Sequence, residues 1–330
     1  MLSIAINGLG RIGRATLKIV LDNPALRLTA VNDVLPADNL AYLLKFDTVY
    51  GRWTRNVHAV DGRLNVDGAD YPVLSEREPA KLPWRQMSVD VVFECTGVFT
   101  KRDDLAKHIE AGARFVILSA PAKSEDVPTV VHAVNRSREE PAQIVSCASC
   151  TTNCITPVVE VIGRRIGIKK ATMTTIHAYT ANQSIVDSGK KDYRRGRAGA
   201  ANLIPATTGA AIATTRALPE YRGKFDGVAI RAPVPVGSIA DIVFVTARGT
   251  SVEEVNRVLT EEAATDRYRE VLAVTEEPIV SSDIVKQAYA SVVDLNLTQV
   301  VDQDLVKIMS WYDNEWGYAN QMVRQALDLS

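Results

Sequence analysis

The sequence predicts an α/β protein in two parts: an open, doubly wound parallel sheet, then an α+β region with a mixed, largely antiparallel sheet. Three observations predict it. A strand–helix–strand unit opens the chain. Strands and helices go on alternating as far as Ser146. After Cys150 strands outnumber helices. At 330 residues, two domains are the natural division.

Ile4-Ala5-Ile6 reads as a short buried strand. Ile12, Ala15, Ile19 and Val20 then recur at helical spacing, and Asp22-Asn23-Pro24 stops that helix. Leu28 to Val31 is the next strand and ends at Asn32-Asp33. Strand, helix and strand within about thirty residues imply a parallel pair. Further strands are expected at Asp90–Phe93, Arg114–Leu118 and Gln143–Ser146, with a helix over Arg102–Ala111. In the second half, strands are expected at Ala171–Thr180, Asp226–Ala232 and Ile239–Ala247. Ser251-Val252-Glu253-Glu254 is a capping box that opens a helix towards Ala264. Ala319, Met322, Val323 and Ala326 mark an amphipathic final helix, and Ala181 to Gly199 reads as a long loop.

Gly8-x-Gly10-x-x-Gly13 lies between the first strand and the first helix. Glycines there allow a tight turn, close approach of backbone to a pyrophosphate, and close packing of helix on strand. The free N–H groups and positive end of the helix then face the phosphates. Asp33 follows at the end of the second strand, where a carboxylate can accept from the adenosine ribose hydroxyls. The context makes this a Rossmann-type dinucleotide fingerprint rather than a bare glycine-rich turn.

Three of the four cysteines, Cys147, Cys150 and Cys154, fall within eight residues, after a strand and before an apolar, helix-like run. A cysteine at a helix start gains thiolate character from the dipole and the free N–H groups. Of the four histidines, His177 is best placed to pair with it, in the strand-like Thr174–Thr180. His108 falls in a helix read as surface and His58 in a polar hairpin-like stretch, so both read as solvated. His132 reads as a core histidine, and Cys95 and Cys154 as packing. The Cys147-x-x-Cys150-x-x-x-Cys154 spacing resembles a metal site, but no second ligand pair closes it, and no metal is expected.

Thirty-eight basic against 39 acidic residues leave a formal charge of −1, which points to neither nucleic acid nor an anionic membrane. No targeting segment or long apolar span is visible, and a cytoplasmic location is the default.

Together these segments resemble the glyceraldehyde-3-phosphate dehydrogenase family. The resemblance is carried by Ile6–Arg14, Ser119–Lys123, Ala148–Asn153, His177–Thr180, Thr208–Ala211 and Trp311–Tyr318. It implies a cofactor domain of residues 1–150 completed by a C-terminal helix over 315–330, around a catalytic domain of 151–314. It implies a homotetramer, with the Ala181–Gly199 loop near subunit contacts and the cofactor. By resemblance Cys150 is the nucleophile and His177 its base. Thr180 and Arg231 match the site for the substrate's own phosphate. Ser149, Thr151, Thr208, Gly209 and Arg195 match groups around the attacking inorganic phosphate. Arg11, Ile12, Asp33, Thr96, Ser119 and Asn314 match cofactor contacts alongside Gly8, Gly10 and Gly13.

The implied chemistry is phosphorylating oxidation of glyceraldehyde 3-phosphate through a Cys150 thioester, with hydride transfer to NAD. Three places depart from the common pattern. Cys147 stands where the family usually has Asn. Ala181-Asn182 replaces the Asn-Asp of many bacterial members. Ser188-Gly189 replaces a Leu-Pro pair of strictly NAD-dependent members, so NADP is expected to be accepted as well. Rival readings are an erythrose-4-phosphate dehydrogenase, a semialdehyde dehydrogenase, and a non-catalytic thiol sensor or interaction protein.

Overall fold

The computed structural model describes residues 1–135 and 142–329. They form two compact units: 1–130 with 142–148 and 322–329, and 131–135 with 149–321.

The strands of the first unit are β1 (Leu2–Asn7), β2 (Leu26–Asn32), β3 (Phe46–Asp47), β4 (Gly51–Arg52), β5 (Val57–Val60), β6 (Arg63–Val66), β7 (Ala69–Leu74), β8 (Val91–Glu94), β9 (Phe115–Leu118) and β10 (Ile144–Ser146). Its helices are α1 (Arg11–Asp22), α2 (Ala37–Lys45) and α3 (Arg102–Glu110). The main sheet runs β10-β9-β8-β1-β2-β7-β6-β5. Pairing is parallel from β10 through β7, and the β5–β6 and β6–β7 hairpins add an antiparallel edge. The chain leaves β1 on one side for β2 and returns on the other as β8. That reversal opens a crevice beyond the C-terminal ends of β1 and β8, where ligands bind in such sheets.

All six residues of β1 are buried, as expected of a central strand covered on both faces. Two glycines make the approach to the crevice possible. Gly8 has φ +92, and a Cβ there would lie 2.7 Å from the backbone nitrogen of Thr96, just after β8. A Cβ at Gly13 would lie 1.9 Å from the Gly8 carbonyl oxygen, so α1 sits closer to the loop than any side chain permits.

The second unit holds β11 (Ile168–Ala178), β12 (Ile204–Thr207), β13 (Phe225–Ala232), β14 (Ser238–Thr246), β15 (Leu272–Thr275), β16 (Ser291–Asp294), β17 (Gln299–Val301) and β18 (Leu305–Tyr312), with α4 (Cys150–Arg165), α5 (Ala210–Ala217) and α6 (Val252–Ala263). The sheet order is β12-β13-β11-β14-β18-β16-β15, with β17 on β18. Only β11–β13 and β15–β16 pair in parallel, so the sheet is mixed and largely antiparallel. The final helix, α7, spans Trp316–Leu327.

Ile155, Val158, Val159 and Ile162 of α4 pack in one core with Ile242, Phe244, Val306 and Ile308 of the sheet and Val255 and Leu259 of α6. The far end of α4 is tied by ions: Arg164 reaches Glu160 and Glu262, and Arg165 reaches Glu261 and Glu262. The capping box at Ser251 is half formed. Ser251 Oγ accepts from the Glu254 N–H at 3.3 Å, but the Glu254 carboxylate goes to Arg248 and Thr250 instead. The Arg248 guanidinium outcompetes a neutral N–H for that carboxylate.

Gly13→Ala is expected to lower the thermal unfolding midpoint, with overpacking of about 1–3 kcal/mol. Gly10→Ala is its control, because a Cβ at Gly10 meets nothing within 4 Å. Equal midpoints for the two variants would contradict the close-packing account.

Candidate active site

Cys150 is the first residue of α4. The turn before it places Ala148 at φ 54. Ser149 caps the helix in extended conformation, its Oγ accepting from the Thr152 N–H at 3.1 Å. The first N–H groups of α4 are thereby directed at the thiol. On β11, His177 brings Nε2 to 3.3 Å from Cys150 Sγ. The thiol is half-buried and the imidazole buried.

The other side of the ring faces both an acceptor and a donor. Nδ1 lies 2.7 Å from the Ala178 carbonyl, which can only accept, and 2.7 Å from Arg231 Nη1, which can only donate. With Nδ1–H donating to Ala178 O, and Arg231 donating to the same carbonyl at 3.0 Å, Nε2 keeps a lone pair towards the thiol. That is the form a general base needs.

Burial holds the His177 imidazolium down, to about 3, and Arg231 and Arg195 add their repulsion. Burial pushes the Cys150 thiol up; Arg231, the N–H groups of Thr151 and Cys150, and the Thr151 hydroxyl act against that rise. Burial pushes Cys147 up to about 12, and it does the same to Cys154 despite its Ser291 and Ser310 neighbours. Resting thiol and neutral imidazole are therefore favoured, because desolvation outweighs the thiolate character that the helix start lends to Cys150. The thiol–imidazole and thiolate–imidazolium pairs hold the same proton, so its transfer along the 3.3 Å contact charges the sulfur without changing the net charge.

Tyr312 is a site neighbour to which sequence reasoning gave no role. It ends β18, is fully enclosed, and stands edge-on to His177 with centroids 5.9 Å apart. Its hydroxyl bonds Thr151 Oγ1 at 2.8 Å and Thr175 Oγ1 at 2.7 Å. The only sequence signal was its place in the Trp311–Tyr318 segment.

The remaining candidates of this unit surround two cations. Arg195 bonds Asp192 and the Thr207 carbonyl, and it raises the cost of charge on both His177 and Arg231. Thr208 Oγ1 accepts from the Ala210 N–H, and Gly209 caps α5 with no side-chain bond. Thr180 is held through its N–H and hydroxyl by Gln183 Oε1. Arg231 Nε is buried without a hydrogen-bond partner among the described residues, a donor left for an anion. Asn314 Oδ1 accepts from Gly237 N–H and Ser238 Oγ, so its amide donors remain to be offered.

In the other unit, Gly8, Gly10, Arg11, Ile12, Gly13, Asp33, Thr96 and Ser119 gather at the strand ends around the crevice. The residues fit a dinucleotide. The N-terminus of α1 has no side-chain cap, and space opens over Gly10. Asp33 is half-buried, with Oδ2 accepting from Leu9 N–H at 2.6 Å and Oδ1 from Leu35 N–H at 2.9 Å. Each oxygen keeps a lone pair for a ribose hydroxyl, while the two bonds oppose rotation of the carboxylate. Arg11 is paired with Asp47 at 2.5 Å. Ser119 bonds the Glu94 carbonyl through its N–H.

Of the other histidines, His58 is exposed on β5, and His132 is partly buried. His108, read as a solvated surface residue, is completely buried. Among the described residues no group of three or more His, Cys, Asp or Glu side chains could hold a metal ion. Among the same residues no helix is long and apolar enough to cross a membrane.

Comparison with known proteins matches residues 2–102 to the model described as "Glyceraldehyde 3-phosphate dehydrogenase, NAD binding domain". Residues 149–314 match the corresponding C-terminal domain. The chain is similar to the glyceraldehyde-3-phosphate dehydrogenase of Streptomyces coelicolor, 46% identical over 97% of this chain and 96% of the relative. The enzyme of Geobacillus stearothermophilus is 46% identical over the same shares. Glyceraldehyde-3-phosphate dehydrogenase 1 of Nostoc sp. is 42% identical over 99% and 96%.

Removing the Arg231 charge is expected to raise the pKa of both Cys150 and His177, since Arg231 now lowers both. In Arg231→Leu the pH profile of Cys150 alkylation by iodoacetamide should move to higher pH. A profile that stays put, or moves down, would show that Arg231 does not act on the thiol.

Proposed function

The chain belongs to the glyceraldehyde-3-phosphate dehydrogenase family, and from that premise we propose that it oxidises glyceraldehyde 3-phosphate to 1,3-bisphosphoglycerate with inorganic phosphate. The observation that carries the reading is the Cys150–His177 pair at the start of α4, 3.3 Å apart. Bound NAD supplies the hydride acceptor. The protein's own groups do the rest. Cys150 Sγ gives its proton to His177 Nε2 and bonds to the aldehyde carbon, forming a hemithioacetal. The Cys150 N–H meets the developing oxyanion, and the His177 imidazolium gives it the proton, which leaves a hemithioacetal hydroxyl and a neutral imidazole. His177 then takes the hemithioacetal hydroxyl proton as the carbon is oxidised, and the acyl group rests on sulfur as a thioester. Attack by phosphate on that thioester releases the acyl phosphate and returns the thiolate.

Arg231, with its unspent Nε, and Thr180 suit the substrate's own phosphate. Arg195, Thr208 and Gly209, at the uncapped start of α5, suit the attacking one. Ser149 and Thr151 stand beside them, and each already supports the helix start or Tyr312. The Asn314 amide donors suit the nicotinamide carboxamide.

NAD is the cofactor that the Asp33 carboxylate favours, since it repels a 2′-phosphate. The two N–H anchors on Asp33 limit its escape, whereas the open space around Gly189 favours some use of NADP. A homotetramer is supported by exposed apolar side chains on the long loop, Ile185, Val186 and Tyr193. Four free thiols suit a cytoplasmic enzyme.

Steady-state assays test the reading. Turnover of glyceraldehyde 3-phosphate should require phosphate or arsenate and exceed turnover of erythrose 4-phosphate. NAD should be preferred to NADP by roughly ten- to a hundredfold in kcat/KM, the scale of one charge contact. Asp33→Ala should improve NADP use and weaken NAD use. Phosphate-independent turnover, or an unchanged cofactor ratio in Asp33→Ala, would count against it.

A further inference from the structure

The first unit buries an acid and an imidazole that this chemistry does not use. Glu94 ends β8 and His108 lies on α3, and neither reaches solvent. Four donors meet the Glu94 carboxylate. Oε1 accepts from the Thr96 N–H at 2.8 Å and from the Thr96 hydroxyl. Oε2 accepts from Asn7 Nδ2 at 2.5 Å and lies 3.1 Å from His108 Nε2. The far side of His108 settles which nitrogen carries the proton. Trp84 Nε1–H can only donate, and it lies 3.0 Å from His108 Nδ1. Nδ1 therefore accepts, and Nε2 donates to Glu94.

The network continues into the nucleotide loops. Asn7 Oδ1 accepts from Asn32 Nδ2 at 2.7 Å, and Asn32 O accepts from the Gly8 N–H at 2.8 Å. Asn32 precedes Asp33, and the Cβ that Gly8 lacks would strike Thr96. An enclosed indole is thus linked, through one imidazole and one carboxylate, to the ends of β1, β2 and β8.

We propose that His108 is a positioning residue for the dinucleotide: its Nε2–H completes the shell of Glu94, and Glu94 holds Thr96 and the glycine loop in place to receive the cofactor. The inference rests on the reading of this unit as the NAD site. Its physical basis is the cost of an unmet acceptor on a buried carboxylate. If His108 stops donating, Glu94 must draw a replacement from Thr96, Asn7 or water. Thr96 and Asn7 are the groups that fix the loop, so the loss appears in cofactor binding. A histidine that only fills space would cost stability and leave affinity alone.

Two substitutions separate these roles. In His108→Gln the amide nitrogen falls near the position of Nε2 and still donates to Glu94. In His108→Asn the shorter amide reaches only the Nδ1 position and serves Trp84. NAD binding is measured by calorimetry without aldehyde, beside the thermal midpoint. His108→Asn should weaken NAD by about tenfold or more, the scale of one hydrogen bond to a charged group, while His108→Gln stays within about threefold. Both should lower the midpoint, and KM for the aldehyde at saturating NAD should not change. If His108→Asn does not fold, the Trp84 indole N–H resonance of the wild-type protein should still shift as NAD is added. Equal weakening in both variants, affinity within threefold of wild type in both, or a stationary Trp84 resonance would overturn the proposal. Wild-type protein that binds no NAD would instead overturn the functional reading on which it rests.

Discussion

Everything in the catalytic unit depends on holding a half-buried sulfur and a buried imidazole nitrogen 3.3 Å apart. Neither group gains from being charged alone there, because burial opposes the thiolate and the imidazolium separately. Each charge becomes affordable only beside the other. The fold supplies that proximity from two elements. The helix α4 carries Cys150 in its first turn, where free N–H groups point at sulfur, and β11 carries His177 as its last residue but one. Apolar packing of α4 on the sheet and the Arg164–Glu262 and Arg165–Glu262 ion pairs keep the helix from shifting along its axis.

The surroundings of the pair are tuned by position rather than by number of charges. Arg231 touches the histidine carbonyl neighbour and lies close enough to favour the thiolate while opposing the imidazolium. An arriving phosphate would neutralise part of that field and relieve the penalty on His177. With Arg231 as the proposed phosphate ligand, substrate binding and proton transfer would be coupled through one guanidinium. Tyr312 adds no charge, yet its two threonine bonds fix the floor beneath the imidazole ring.

Much of this was legible in the sequence wherever the cause was local. The glycine loop, the strand before it and the helix after it are contiguous, and their spacing carries their geometry. The Cys150 segment likewise shows a strand, a cap and a helix start in order. What stayed hidden depends on distant partners. Tyr312 meets Thr151 and Thr175 across separations of 161 and 137 residues. His108 shares its helix with Arg102, Asp103, Asp104, Lys107 and Glu110, so the segment reads as solvated. Only Leu105 and His108, three apart, turn inward. Between Ala37 and Leu74 the sequence reads only as a polar hairpin-like stretch at His58, which is the β5–β6 hairpin; the other strands there are short and mostly exposed or partly buried, and carry little hydrophobic pattern. The opposing effect of burial on the Cys150 thiol was hidden for a related reason: a helix start is visible in sequence, and desolvation is not.

The central claim is that His177 Nε2 moves the protons of the sulfur and of the hemithioacetal. Rapid-mixing measurement of the first turnover in His177→Asn, followed as NADH absorbance at saturating substrate, tests it most directly. The account expects the burst to slow by ~10²–10⁴, the usual range for losing a general base, with NAD affinity retained. A burst at the wild-type rate would contradict it.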